Sequence, residues 1–138
     1  MVIIAAVPLA CAPPASNRAE SAFVGNWATG ENASITIRPD TIIQHQPDGQ
    51  STALDMKSCR GVFRFTYGMK TRQALIGLLP RQPELQRRLS DLLVESSYPV
   101  AELACGDGDT TYVLLDDRDL VAIYRDAGVA GVERLSRS

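Results

Sequence analysis

The chain has 138 residues, of which 45% are apolar and 22% are charged, and its formal net charge is −2. These proportions are those of one soluble globular domain, and they exclude a disordered chain and a multispanning membrane protein. The acidic balance also weighs against a nucleic-acid partner, because such partners need a clustered cationic face.

Residues 1–10 predict a targeting signal rather than part of the fold. This apolar run is too short to span a bilayer, which needs about 20 residues, but it has the length of a signal-peptide core. It ends at Leu9-Ala10-Cys11, which resembles the end of a bacterial lipoprotein signal peptide. The resemblance covers the first dozen residues only. It implies that Cys11 is acylated, becomes the first residue of the mature chain and anchors the protein to the cell envelope.

Residues 11–22 predict a flexible tether, since prolines and small polar residues neither build a helix nor pack a core. The expected location is therefore the periplasmic face of a membrane, the outer membrane in particular, with the lipid anchor as the contact to that membrane. The alternative is that Cys11 is a small buried residue of an N-terminal strand. Pro13 and Pro14 disfavour this alternative, because proline interrupts a strand ladder.

The cysteine count predicts one disulfide. The chain has three cysteines, and an odd number in an exported protein needs an explanation. Acylation of Cys11 supplies it and leaves Cys59 to pair with Cys105, which would stabilise the fold by about 4 kcal/mol. The alternative is two unpaired thiols in a cytosolic core. No metal site is expected, because the cysteines are far apart in sequence and His45 is the only histidine.

The ordered domain is expected to span residues 23–138, beginning with a strand at residues 23–28. Its Gly25-x-Trp27 pattern resembles the opening of lipocalin-like barrels. The resemblance rests on these few residues and implies that the tryptophan closes the bottom of a barrel. The alternative is a single buried tryptophan that anchors the edge of another β-fold.

Four further strands are expected before residue 70, because apolar and polar residues alternate there. In the first of them Ile35 and Ile37 share one face while Thr36 lies on the other. Turn sequences containing Pro, Asp and Gly separate the strands. The expected strands cover residues 33–38, 41–46, 52–59 and 62–67.

A helical insert is expected near residues 71–96. Thr71 can cap a first helix that Pro80 ends, and Pro83 suits the first position of a second helix. The second helix carries a stripe of leucines on one face. Such a stripe is typical of ordinary packing. The alternative is that the segment is a flexible lid or a partner-binding element.

Four strands separated by short acidic or glycine-containing turns are expected in the rest of the chain. They cover residues 100–105, 110–115, 120–125 and 129–135. The predicted fold class is therefore mainly β: an antiparallel up-and-down barrel or curved meander of about eight strands with the helical insert near residues 71–96.

Aromatic residues are the candidates for a ligand site, because they present a large apolar area, to which tyrosine and tryptophan add a polar group. The candidates are Trp27, Phe63, Phe65, Tyr112 and Tyr124. The alternative is that these side chains fill the core of a small barrel. The aspartates at residues 107–119 lack the remaining ligands of a calcium loop and are interpreted as hairpin turns. His45 has no nucleophile placed beside it by a recognisable motif and is interpreted as structural.

The sequence therefore predicts a lipid-anchored, monomeric envelope protein that binds without catalysis and without a cofactor. Its partner would be a small apolar ligand in the barrel. The alternative is an envelope interaction or inhibitor protein, similar to small inhibitors of proteases and lysozymes, with a filled barrel. A connected internal cavity favours the first hypothesis, and a filled barrel with an exposed apolar patch favours the second. An enzyme is the least favoured class.

Overall fold

A computed structural model describes residues 20–138. Nine antiparallel strands form one sheet, which curls into a half-barrel. Strands make up 48% of the structure and helices 16%. The predicted signal peptide, Cys11 and most of the tether lie outside the described residues. The predicted fold class, mainly β with a curved antiparallel sheet, is confirmed.

The half-barrel is built from short and long strands in sequence order. The strands are β1 (Gly25–Ala28), β2 (Ser34–Ile37), β3 (Ile42–His45), β4 (Ser51–Ala53), β5 (Phe63–Thr71), β6 (Ser97–Cys105), β7 (Gly108–Leu114), β8 (Asp119–Asp126) and β9 (Val129–Arg137). Between β5 and β6 lie two helices, α1 (Arg72–Ile76) and α2 (Pro83–Leu92).

The sheet consists of two meanders that join through their outer strands. The strand order is β4-β3-β2-β1-β9-β8-β7-β6-β5, so β1 pairs with β9, where Trp27 is opposite Arg137. The strands β4 and β5 are the two free edges of the described sheet. The hydroxyl of Tyr67 on β5 donates to the carbonyl oxygen of Arg38, just beyond β2, at 3.2 Å. This hydrogen bond links the edge strand β5 to the connection between β2 and β3.

The concave face holds the larger apolar core. Alternate residues along each strand point into it, as the period of two requires. Its fully buried members include Trp27, Phe23 and Leu120. Tyr67 packs beside Phe23 with their ring centroids 5.9 Å apart. The curvature of the sheet therefore brings the edge strand β5 and the segment before β1 around one apolar centre.

The helical insert covers the convex face of the second meander. The leucines of the insert pack on outward-facing valines and an isoleucine of β6 to β9, which explains why β7 and β8 are buried on both faces. The buried residues of this layer are Leu75, Leu79, Leu89, Leu93, Tyr98, Val100, Val113, Val121, Ile123 and Val132. The leucine stripe therefore packs the helical insert against the sheet.

The ends of the helices follow the predicted chemistry. The Thr71 hydroxyl accepts a hydrogen bond from the Ala74 amide at 3.1 Å and caps α1. Pro83 is the first residue of α2, where its missing N–H costs nothing. The Arg72 side chain donates to the carbonyl oxygens of Leu93 at 2.6 Å and Ser90 at 3.1 Å. These bonds tie α1 to the end of α2.

The predicted strand at residues 52–59 is wrong in its extent, because β4 ends at Ala53. The Asp55 carboxylate accepts from the Ser58 amide at 2.7 Å, and the Ser58 hydroxyl accepts from the Asp55 amide at 2.8 Å. These local bonds satisfy the backbone in a turn and compete with strand pairing. Residues 20–138 contain nine strands, one for each of the nine segments that the alternation predicts, whereas the fold class was stated with about eight.

The predicted disulfide is confirmed. Cys59 and Cys105 are bonded with their Cα atoms 4.7 Å apart, so the turn after β4 is fixed to the end of β6. Residues 20–22, which the sequence assigns to the tether, form a helical turn with Phe23. Phe23 is fully buried, and its burial holds this turn on the sheet.

Candidate functional site

One end of the half-barrel is closed around Trp27. The indole is fully buried, and its Nε1 donates to the Phe23 carbonyl oxygen at 2.8 Å. The guanidinium of Arg137 lies over the indole ring at 4.1 Å from its centroid. It also donates to the carbonyl oxygens of Ala22 at 2.7 Å and Val24 at 3.0 Å. The arginine thus fixes the N-terminal turn over this end.

Gly25 is required by the same arrangement. Its φ of +139° is a backbone conformation that other residues rarely adopt, and a Cβ here would lie 2.5 Å from Nη1 of Arg137. Gly25, Trp27 and Arg137 therefore form one structural unit, which accounts physically for the Gly25-x-Trp27 pattern.

The mouth cavity lies towards the other end of the concave face. It has a volume of about 280 Å³ and is bounded by the start of β2, the end of β3 and the facing parts of β7, β8 and β9. Its lining consists of Thr29, Ala33, Ser34, Ile35, Gln44, His45, Gln46, Thr110, Tyr112, Ala122, Tyr124, Glu133 and Leu135. A second depression of about 360 Å³ adjoins it and shares Gln44, Thr110 and Tyr124.

Tyr112 presents an unused hydroxyl to the mouth cavity. The residue is only 5% exposed, and its hydroxyl has no hydrogen-bond partner among residues 20–138. No fully buried side-chain oxygen or nitrogen in that part of the chain lacks a partner, so this hydroxyl reaches the open space of the cavity. Burial raises the pKa of Tyr112, and the negative charge of Glu133 raises it further. The phenol therefore stays protonated and can donate or accept a hydrogen bond.

Tyr124 forms a wall shared by the two depressions. It pairs with Gly131 of β9, and a Cβ on that glycine would collide with the ring and hydroxyl of Tyr124. The absence of a side chain at Gly131 therefore lets the tyrosine ring lie across the neighbouring strand. The residue is 38% exposed, so Tyr124 is accessible at the surface of the cavity.

Glu133 supplies the carboxylate of the mouth cavity. It has no ion-pair partner within the described part of the chain, where the three ion pairs involve other acidic residues. The part of the lining formed by residues 20–138 contains neither lysine nor arginine. In the adjoining depression Asp109 pairs with Arg125 at 3.0 Å, whereas Asp126 has no cationic partner in residues 20–138. Both depressions thus carry unneutralised negative charge.

The structure brings together two of the five aromatic residues proposed from the sequence. Tyr112 and Tyr124 line the mouth cavity. Trp27 lies at the closed end, and Phe63 and Phe65 are half-buried against the concave core, away from the lining. These three residues therefore serve packing, as the alternative interpretation stated.

Among the polar residues of the lining, the sequence identifies His45, as a structural residue, but it does not identify Glu133 or Gln44. Glu133 occupies an inward-facing position of β9, between Gly131 and Leu135. A charged residue at a position where the strand pattern predicts an apolar one is the sequence signal that could have indicated this site. Gln44 holds the same kind of position on β3, two residues after the buried Ile42.

His45 belongs to a chain of hydrogen bonds across the first meander. Its Nε2 lies 2.8 Å from the Thr36 hydroxyl, and its Nδ1 lies 2.7 Å from the Ser51 hydroxyl. The Thr36 hydroxyl in turn donates to Asn26 Oδ1 at 2.6 Å. Since Thr36 uses its proton there, His45 donates to Thr36 and accepts from Ser51. Both ring nitrogens are thus engaged in linking β1 to β4.

Aspartate side chains in the hairpin turns accept hydrogen bonds from backbone amides. The carboxylate of Asp116 accepts from the amides of Arg118 and Asp119, both at 2.8 Å. Asp119 accepts from Ser136 at 2.6 Å, and its ion pair with Arg134 measures 3.1 Å. No group of three His, Cys, Asp or Glu side chains within residues 20–138 is arranged to hold a metal ion. In the same region no helix has the length and apolar character needed to cross a membrane.

Comparison with known proteins assigns no family to this chain. No protein-family model matches the chain, and no curated protein or solved structure matches it significantly. The fold and the site therefore define the class by themselves: a curled antiparallel half-barrel with one end closed by a tryptophan and an arginine and a tyrosine-lined cavity towards the other.

Proposed function

We propose that this protein is a non-catalytic binding module that holds a small ligand in the mouth cavity. The observation that carries the proposal is the state of the Tyr112 hydroxyl. The residue is only 5% exposed, yet its hydroxyl opens into the cavity without a hydrogen-bond partner in residues 20–138. A polar group held in this way costs free energy unless water or a ligand bonds to it. The proposal includes the lipocalin-like character inferred from Gly25-x-Trp27, which the closure of one end by Trp27 supports.

The lining favours an amphipathic ligand of modest size. Ile35, Ala122 and Leu135 supply apolar surface, while Gln44 and Thr110 supply polar groups. A cavity of about 280 Å³ with an adjoining depression of about 360 Å³ lies at the small end of the range for ligand sites. The proposed ligand therefore has an apolar body and at least one hydrogen-bonding group.

The envelope location is part of the proposal. It is supported by the apolar run of residues 1–10, by Cys11 and by the Cys59–Cys105 disulfide, which is typical of oxidising compartments. Residues 20–23 lie at the closed end, where Arg137 bonds to Ala22. A lipid tether joined at residue 20 would leave the mouth cavity accessible.

Location is tested by metabolic labelling with a fatty-acid analogue, followed by fractionation of the membranes. We expect the label on the wild type and its loss from a Cys11→Ser variant, which should move to the soluble fraction. An unlabelled wild type in the soluble fraction would overturn the envelope part of the proposal without bearing on the cavity.

Ligand binding is tested with 2-phenylethanol as a neutral amphipathic probe and backbone amide chemical shifts as the readout. We expect the perturbed amides to cluster on β7, β8 and β9 around Tyr112, and Tyr112→Phe to weaken binding. Tyr67→Phe is the matched control, because Tyr67 is also partly buried but bonds to Arg38 away from the cavity. Perturbations that scatter over the surface, or that respond equally to both variants, would overturn the proposed site.

A second candidate, an envelope interaction or inhibitor protein, is favoured by one observation. The nine-residue strand β5 has no strand partner on its outer edge within the described sheet, and unpaired edges accept strands from other proteins. Hydrogen exchange with a solubilised envelope fraction distinguishes the candidates. Slowed exchange in β5 with unchanged exchange around Tyr112 would favour the second.

A further inference from the structure

We infer that the mouth cavity takes an organic cation: an ammonium group carried on a small apolar body. This inference rests on the proposed function and specifies the class of its ligand. It follows from the sign of the charge in the cavity, from the aromatic surface beside that charge and from the absence of a cation of the protein's own in the lining.

The charge is provided by Glu133. Its carboxylate lines the cavity and pairs with no lysine, arginine or histidine in residues 20–138. The lining includes one other titratable base, His45, whose ring nitrogens are both occupied by the hydroxyls of Thr36 and Ser51. A carboxylate at the edge of a half-apolar cavity attracts a cation and repels an anion.

The aromatic surface is provided by Tyr112 and Tyr124. A cation placed near the face of a tyrosine ring is attracted by its negative quadrupole. The Tyr112 hydroxyl can also accept a hydrogen bond from an ammonium N–H. Tyr112 and Glu133 both line the cavity and lie opposite the same residue, Ala122 of β8, from its two neighbouring strands, so the carboxylate and the ring face the same space.

The adjoining depression extends the negative surface. Asp126 lines it without an ion-pair partner among the described residues, while Asp109 is neutralised by Arg125 at 3.0 Å. A cation approaching the cavity by this side therefore meets a favourable potential. An anion would meet two unpaired carboxylates, Glu133 and Asp126, before it reached Tyr112.

The experiment compares three probes that share one body and differ in charge: 2-phenylethylamine, 2-phenylethanol and 3-phenylpropanoate. Binding is measured by amide chemical shifts and by calorimetry at low and high salt. We expect the amine to bind about fivefold more tightly than the alcohol, as an exposed ion pair allows, and the carboxylate to bind most weakly. The advantage of the amine should shrink at high salt.

Glu133→Gln is the test variant. It keeps the shape of the side chain and removes its charge, so we expect the amine to lose its advantage while the alcohol binds as before. Glu102→Gln is the matched control, since Glu102 pairs with Lys70 at 3.2 Å and lies outside the cavity lining. Amide spectra of both variants verify the fold, and the salt titration of the wild type tests the charge independently of any variant.

The outcomes separate the two proposals. If the three probes bind at Tyr112 and Tyr124 with equal affinity, and Glu133→Gln changes nothing, the cation inference is overturned and the binding function stands. If none of the probes perturbs the amides around the cavity, the proposed site itself fails. An amine preference that is lost in Glu133→Gln and kept in Glu102→Gln supports both.

Discussion

Replacing Arg137 by methionine removes the guanidinium that closes the Trp27 end of the half-barrel. Methionine keeps an apolar stem over the ring, so the change isolates the polar contacts and the charge. These contacts are hydrogen bonds to the carbonyl oxygens of Asp117 at 2.9 Å, Val24 at 3.0 Å and Ala22 at 2.7 Å. The stacking of the charge on the indole at 4.1 Å is lost as well.

The expected cost follows from these contacts. Arg137 is exposed, so each of its hydrogen bonds is given the lower part of the range for ordinary hydrogen bonds, about 0.5–1 kcal/mol, and not the larger value for buried charged donors. The contact of the cation with Trp27 adds about 0.5–1 kcal/mol. The free energy of unfolding should therefore fall by about 2–4 kcal/mol. Arg137→Lys keeps the charge but loses the planar set of N–H donors, so its free energy of unfolding should lie between those of the wild type and Arg137→Met.

Urea denaturation followed by Trp27 fluorescence measures this loss, and hydrogen exchange of the amides near Ala22 reports whether the N-terminal turn has been released. Arg134→Met is the control, because Arg134 is 52% exposed and its ion pair with Asp119 is worth about 0–1 kcal/mol. If Arg137→Met stays within about 0.5 kcal/mol of the wild type, the usual scatter for surface changes, the closure argument is refuted.

Three further predictions concern other parts of the fold. The double variant Cys59→Ala/Cys105→Ala should lower the free energy of unfolding by about 4 kcal/mol, since the disulfide spans 46 residues. Equal denaturation midpoints of the wild type with and without reductant would contradict this prediction. Gly131→Ala should displace the Tyr124 ring, cost about 1 kcal/mol and weaken probe binding, as chemical shifts of that ring would report. The bonds from Ser136 and then Arg134 lower the pKa of Asp119 below its usual 3.8, so its stabilisation is present above that pH and is lost in acid as the folded-state pKa is passed. Asp119→Asn should accordingly be less stable than the wild type at neutral pH and approach it in acid denaturation.

Most of the second meander could be predicted from the sequence, because its information is local. Turn residues separate β6 to β9, and the alternation along each strand fixes the face that is buried. Thr71 and Pro83 mark the helix ends for chemical reasons that hold in any context. The pairing of Cys59 with Cys105 followed from the count of cysteines and from the proposed fate of Cys11.

The first meander was less predictable, because its structure depends on contacts between distant residues. The pairing of β1 with β9 joins residues more than a hundred positions apart, and no local pattern encodes it. The shortening of β4 reflects the turn between Asp55 and Ser58, whose side chains compete with the ladder. The alternation of apolar and polar residues, taken alone, predicts a strand that continues through this turn.

The candidate site was half predictable for a related reason. The sequence pattern predicts aromatic residues for a ligand site, and two of the five candidates line the cavity, but the sequence does not say at which end of the barrel each one lies. Trp27 and Tyr112 both face inwards, and only the positions of Arg137 and Glu133 make one a closure and the other a cavity wall. Charged residues at inward-facing positions therefore carry more information about the site than the aromatic residues do.

The positions of these charges also explain how the fold combines stability with an open cavity. At the closed end Arg137 uses its donors on backbone carbonyls and its charge on Trp27, so the cation adds to stability. At the cavity Glu133 and the Tyr112 hydroxyl have no protein partner in residues 20–138, so they add nothing comparable. Apolar layers pack on both faces of β7 and β8, and this packing supports the strands that carry the cavity. Under the proposed binding function, groups without partners on such a supported sheet would spend little ordering free energy when a ligand binds.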